Sequence, residues 1–155
     1  MMENRMELRF EALPQNEAFA RVTIAAFAVQ LCPTLPEMAD LKTAVSEAVT
    51  NAIVHGYGGQ GGEVVLRASF GEEKMLTVSI RDEGCGIRDV AAAMQPFYST
   101  GDGAERSGMG FCVMQTFMDG VEVKSAPGAG TTVTMRKYIT GEVGFHRERL
   151  LNEIG

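Results

Sequence analysis

From Met6 to Ala12 the chain alternates residue by residue, with Met6, Leu8, Phe10 and Ala12 on one side and Glu7, Arg9 and Glu11 on the other. Side chains of a strand point to opposite faces in turn, so this period of two predicts a half-buried strand, closed by Pro14. The period then lengthens. From Asn16 to Leu31 the spacing of Phe19, Val22, Ala26 and Val29 suits an amphipathic helix, capped by Asn16 and stopped before Pro33. A second helix opens with Pro36, whose fixed φ fits a first turn, and Glu37, whose charge suits the positive end of the helix dipole. Its apolar pattern runs through Leu41, Ala44, Val45, Ala48, Ala52 and Ile53 to Gly56.

Two segments rich in β-branched residues, Glu63 to Phe70 and Lys74 to Asp82, flank Gly71, Glu72 and Glu73 and predict an antiparallel hairpin. Gln95 to Ser107, with Pro96, Gly101 and Gly103, holds no period and is long for a plain connection, which marks a candidate lid. A short helix follows over Gly108 to Met118. Val121 to Ala126 and Thr131 to Tyr138 then form a second hairpin around Pro127, Gly128 and Gly130. Helices and hairpins mixed in this order predict an α+β fold, a two-layer sandwich with helices on one face of a mixed, mostly antiparallel sheet, rather than a doubly wound parallel sheet.

Composition narrows the class. A chain of 155 residues, 45% apolar, can bury one sizeable core and not two, so one domain over 1–139 is expected, with a polar tail at 140–155 that holds a short helix over His146 to Ile154. Its 14 basic and 20 acidic residues leave a net charge of −6, which repels a phosphate backbone and argues against nucleic acid as a direct partner. The longest apolar run, Thr23 to Leu31, falls short of the roughly 20 residues that span a bilayer. The start MMENRMELRF lacks a secretory apolar region. A cytoplasmic protein that does not engage a membrane is therefore expected. Cys32, Cys85 and Cys112 show no C-x-x-C spacing and read as reduced thiols.

Candidate chemistry begins on the second helix. Glu47, Asn51 and His55 stand four residues apart, and each such step turns about 40° beyond a full circle, so the three share one polar arc. Spacing alone leaves two readings open, a ligand site or the solvated side of an amphipathic helix. Asp82 continues the face of Leu76, Val78 and Ile80. Either the strand carries this carboxylate into the core, where it needs donors such as an exocyclic amine, or the chain turns at Glu83 and exposes it. The glycines at Gly84 and Gly86 permit close backbone approach, and Gly108 and Gly110 open a helix whose free N–H groups favour phosphate. Arg106, just before them, could pair with a terminal phosphate. Each glycine pair alone is more often a turn. No G-x-x-x-x-G-K-[ST] exists, and the letters G-x-G-x-x-G at Gly56, Gly58 and Gly61 follow a helix and precede a strand, the reverse of a dinucleotide-binding context.

Together, EAVTNAIVHGY at 47–57, DEGCGI at 82–87, RSGMGF at 106–111 and GTT at 130–132 resemble the asparagine, first glycine, second glycine and final threonine motifs of the GHKL (Bergerat) ATPases. Their order is more specific than any one of them. NEAFARVTIAAF, SEAVTNAIVHGY, RDEGCGI and ERSGMGF with the following FMDG are similar to the anti-sigma F factor family from Glu7 to about Lys137. The resemblance implies a protein serine kinase that uses ATP or ADP with Mg²⁺. Glu47 would be the base that draws the substrate's proton and Asn51 the oxygen donor to the metal, with His55 toward phosphate. Asp82 would accept from adenine N6, with Gly84, Gly86, Ile87 and Thr131 shaping the base pocket. Ser107, Gly108, Gly110 and Phe111 would fold over the phosphates, with Arg106 at the γ-phosphate. Glu17 and Arg21 would meet a sigma factor or its anti-anti-sigma antagonist, which the kinase would phosphorylate on serine. Members are homodimers, and the strand Met6 to Ala12 offers a seam. Two rivals stand beside this reading: the catalytic domain of a sensor histidine kinase, and a binding module in which nucleotide sets shape without catalysis.

Overall fold

The computed structural model describes residues 3–95 and 110–141. The expected lid from 96, the positions Arg106, Ser107 and Gly108, and the tail beyond 141 lie outside the described residues.

Five strands form one sheet: β1 (Asn4–Glu11), β2 (Glu63–Phe70), β3 (Met75–Asp82), β4 (Gly120–Ser125) and β5 (Thr131–Tyr138), in the spatial order β1-β2-β3-β5-β4. All four pairings are antiparallel. The period of two in the sequence becomes two chemically different faces. One face carries Phe10, Val64, Leu66, Ala68, Leu76, Val78, Ile80, Val133 and Met135 into the core. The other is a lattice of surface charge in which Arg67 and Arg9 both donate to Glu7.

The helices α1 (Asn16–Ala28), α2 (Leu35–Thr50) and α4 (Gly110–Phe117) lie against the core face, with α2 between the other two, and a single turn, α3 (Val90–Ala93), follows β3. Burial of Leu41, Val45 and Val49, none of which exposes any surface, holds α2. Each such side chain contributes roughly 1.5–3 kcal/mol, more than enough to offset the polar arc on the same helix. Phe27 anchors α1 to β2 by a tilted ring contact with Phe70 at 5.1 Å.

The structure corrects the reading of α1. The stripe Phe19, Val22, Ala26 and Val29 faces outward, and Ala20, Ile24, Phe27, Ala28 and Leu31 face the core instead. Both stripes are apolar, so the period located a helix without saying which side is buried. Asn16 is also not the cap: Gln15 holds that position without a side-chain bond, and Asn16 Nδ2 donates to the Glu11 carbonyl.

For α2 the start signal was richer than Pro36 and Glu37 alone. Thr34 caps the helix, its Oγ1 accepting the Glu37 N–H while the Glu37 carboxylate accepts the Thr34 N–H, a reciprocal pair that satisfies two otherwise orphaned donors. The same carboxylate accepts from the Thr140 amide and hydroxyl and from the Gly141 amide. Glu37 therefore ties the chain just beyond β5 to the start of the central helix. Partial burial pushes its pKa up, but the Thr140, Thr34 and Gly141 donors together outweigh that and hold it below the ordinary glutamate value. Because the folded pKa is lowered, this stabilisation is present above the unfolded value of about 4.3 and is lost as pH falls through the folded one. Glu37→Ala should cost about 1–2 kcal/mol in urea unfolding at pH 7, and the difference from wild type should narrow as the pH is taken down to 3.

Candidate functional site

The helix that carries Glu47 and Asn51 changes winding where it reaches the site. From Asn51 to Gly56 the α-turns of α2 give way to a π-helical segment, in which the Tyr57 N–H reaches back to the Ala52 carbonyl at 3.1 Å. Hydrogen bonds there span five residues, so four no longer complete a turn. Glu47 and Asn51 keep their common arc, while His55 is rotated from where an uninterrupted α-helix would put it. All three residues are half-buried.

At the end of this segment the helix meets Asp82. The strand does carry the carboxylate inward: Asp82 exposes 5% of its surface, and a side chain at Gly56 would lie 2.6 Å from its carboxylate. Glycine at 56 is thus required by the close packing of helix end and acid. Gly84 N–H donates to Asp82 Oδ1 at 2.9 Å. Desolvation raises the pKa of Asp82 above the ordinary aspartate value, against the opposing pull of the Gly84 and Thr131 backbone amides. Such an acid holds its charge at a cost that a further donor would relieve.

The loop after β3 is fixed by backbone contacts. Cys85 N–H donates to the Gly56 carbonyl, and Gly130 and Gly128 N–H groups donate to the carbonyls of Gly84 and Cys85. Side chains at Gly84 and Gly86 would collide with the carbonyls of Gly56 and Ala126. The close approach these glycines permit is, within the protein, of one backbone to another. Cys85 Sγ lies 3.2 Å from the His55 carbonyl, which joins the loop to the π segment once more. Ile87 N–H donates to Ser125 Oγ, whose own proton goes to the Gly130 carbonyl, so that the Thr131 hydroxyl donates to Ser125. Thr131 itself pairs with Asp82 across β5 and β3. Ser125 and Tyr57 were assigned no role from the sequence, where an isolated hydroxyl in a strand or loop carries no pattern.

The other end of the site lies where α4 begins. A side chain on Gly110 would sit 3.2 Å and 3.3 Å from the Asn51 amide and 3.4 Å from Glu47 Oε2, so the start of α4 rests directly on these two groups. Phe111 is half-buried and packs on the core. The far end of α4 is held by Lys137, a buried lysine whose Nζ donates to the Phe117 carbonyl at 2.7 Å and lies 4.0 Å from Asp40 of α2. From Glu47 through Asn51 to Gly56 one continuous helical segment carries the acid and the amide toward one end of the site and meets the buried carboxylate at the other. Among the described residues no group of three or more His, Cys, Asp or Glu side chains could cage a metal. Asn51, with Glu47 beside it, offers hard oxygens of the kind that would suit Mg²⁺.

A separate surface carries Glu17 and Arg21. They form an i,i+4 ion pair at 3.4 Å on α1, beside the outward stripe of Phe19, Val22 and Val29, which are 54%, 65% and 58% exposed.

The chain is similar to known proteins over most of its length. Residues 10–137 match the family described as histidine kinase-like ATPase domain. The chain is 53% identical over 137 residues to the anti-sigma F factor of Clostridium acetobutylicum, covering 88% of this chain and 95% of that one. It is 55% identical over 140 residues to the anti-sigma F factor of Halalkalibacterium halodurans, covering 90% and 95%. Among solved structures it superposes on the RsbU and RsbW domains of a Mycobacterium tuberculosis protein with a TM-score of 0.63 at 16% identity, over 88% of this chain and 32% of that one. The histidine kinase domain of a blue-light activated kinase from Erythrobacter litoralis gives 0.54 at 20% identity, over 80% and 65%. These two likenesses are of fold. No helix among the described residues is long and apolar enough to cross a membrane.

The raised pKa of Asp82 has a consequence for stability. Its penalty is present at pH values above the folded pKa and is relieved as pH falls through it. Asp82→Asn should raise the Tm of the ligand-free protein at pH 7, against the usual destabilisation of about 0.5–3 kcal/mol for a point change. The advantage should shrink on acidification. A Tm lowered at every pH would contradict the assignment of the cost to the buried charge.

Proposed function

Because this chain belongs to the histidine kinase-like ATPase domain family and, within it, to the anti-sigma F factors, we propose that it is an ATP-dependent protein serine kinase that also sequesters a sporulation sigma factor. The observation that carries the reading is the single helix that brings Glu47 and Asn51 to the start of α4 and ends against the buried Asp82. Adenine would supply through N6 a further donor to Asp82, with the base lying by Gly84, Gly86, Ile87 and Thr131. The triphosphate would run along the π segment past His55 to the N–H groups of Gly110 and Phe111 at the N-terminus of α4, where the helix dipole favours negative charge. Ser107, Gly108 and Arg106, from their place in the sequence just before that helix, belong to the phosphate end. Mg²⁺ would be held by Asn51 and neutralise phosphate charge.

Glu47 would take the proton of a serine hydroxyl of the anti-anti-sigma protein as the serine oxygen bonds to the γ-phosphorus and the bond to ADP breaks. Positioning and charge neutralisation carry most of such a transfer. The partners would dock on α1. Arg21, paired with Glu17, is a charged anchor on the helix that also exposes Phe19 and Val22, apolar area that water leaves readily. A homodimer is part of the same reading, and β1, one of the two edge strands of the sheet, offers a seam for it.

Incubation with labelled ATP and the anti-anti-sigma protein should give acid-stable phosphoserine; acid-labile phosphohistidine would favour a histidine kinase instead. Glu47→Ala should retain ATP and sigma-factor binding while transfer falls about 10²-fold or more, and an unchanged rate would remove Glu47 from the chemistry. Arg21→Glu should lose both protein partners in pull-downs with ATP affinity intact, whereas undiminished capture would move the docking surface elsewhere.

A further inference from the structure

Tyr57 follows the π segment directly, and its hydroxyl makes two bonds of fixed polarity. The Glu83 amide can only donate, so it donates to the phenol oxygen at 2.8 Å, and the phenol proton goes to the Glu63 carbonyl at 2.5 Å. The ring lies against Gly62, where any side chain would collide with it. One side chain thus spans the end of the helix, the start of β2 and the residue next to Asp82.

The remaining ties on this loop are of a different kind. Gly84 N–H is held by Asp82 itself, Cys85 N–H by the Gly56 carbonyl, and the Gly84 and Cys85 carbonyls by Gly130 and Gly128. Those bonds fix the loop beyond Asp82. The bond from Tyr57 acts on the peptide that joins Asp82 to Glu83, one residue before the Gly84 N–H that holds Asp82 Oδ1, so it bears on where that donor stands. Glu83 is exposed, so without the phenol its amide would bond to water and the peptide would gain freedom to rotate.

We propose that Tyr57 is a positioning residue for base selection, which aims the Asp82 carboxylate by holding the Glu83 amide. The inference rests on the reading of Asp82 as the acceptor for adenine N6. It makes discrimination between purines depend on a hydroxyl that touches no nucleotide. A bond of this kind is worth about a fivefold to tenfold factor in an equilibrium, which sets the size of the effect.

The experiment measures the affinities of the full chain for ATP and for purine riboside triphosphate, which lacks the 6-amino group, in wild type, Asp82→Asn and Tyr57→Phe. Wild type should prefer ATP, Asp82→Asn should lose the preference, and Tyr57→Phe should reduce it about fivefold to tenfold while weakening the purine analogue little. Hydrogen exchange at the Glu83 amide should quicken in Tyr57→Phe, and the melting curve should report whether the variant is folded. A wild type without preference would sink the reading of Asp82. A preference that Asp82→Asn abolishes and Tyr57→Phe leaves whole would overturn the inference alone. Equal weakening of both ligands by Tyr57→Phe would also overturn it, as the mark of a general structural role.

Discussion

The site is organised around a carboxylate that the fold buries at an electrostatic cost. Asp82 stands at the last core-facing position of β3, 5% exposed, with the Gly84 amide bonded to its Oδ1. An ionised acid in such a place is a standing cost, and its raised pKa expresses that cost. Proteins keep such groups where a ligand completes them. Much of the surrounding backbone follows from making room for it. Gly56 cannot carry a side chain because the carboxylate is there, Gly84 cannot because Gly56 is there, and the loop from Gly84 to Gly86 is pinned to 128–130 in turn.

The second constraint is the placement of α2. Its buried stripe of Leu41, Val45 and Val49 fixes it in the middle of the helical layer, and Glu37 and Thr34 fix its start to the end of the sheet. Nothing in that packing stabilises the polar arc of Glu47 and Asn51, which is placed by the apolar residues on the opposite side. The change to π winding at Asn51 then turns the last residues of the helix toward the loop after β3, where the His55 and Gly56 carbonyls receive the Cys85 thiol and amide. Departures from regular helix at a functional site are a recurrent feature, and here the departure joins the two halves of the cleft.

Much of this was legible in the sequence, and the failures share a cause. Runs of β-branched and apolar residues flanked by turn residues located β2, β3 and β5 to within a residue. The period of two within β3 offered burial as one of two readings of Asp82, and the structure takes it. The burial of α1 was misread because that helix has apolar residues on two sides, Ile24 and Phe27 inward and Phe19 and Val22 outward, and a period cannot choose between them. The π segment, the cap at Thr34 and the tyrosine bridge at Tyr57 were missed for a different reason. Each depends on which backbone groups meet across the fold, and no spacing within one segment encodes that.

The central claim, that a buried acid awaits a purine donor, is tested most directly by titrating the Asp82 carboxyl by carbon NMR in the free protein and with ADP bound. The account requires a value above the ordinary aspartate range in the free protein and a fall on adding ADP, since a donor at N6 favours the ionised form. An ordinary value in the free protein, or one that ADP leaves where it was, would contradict it.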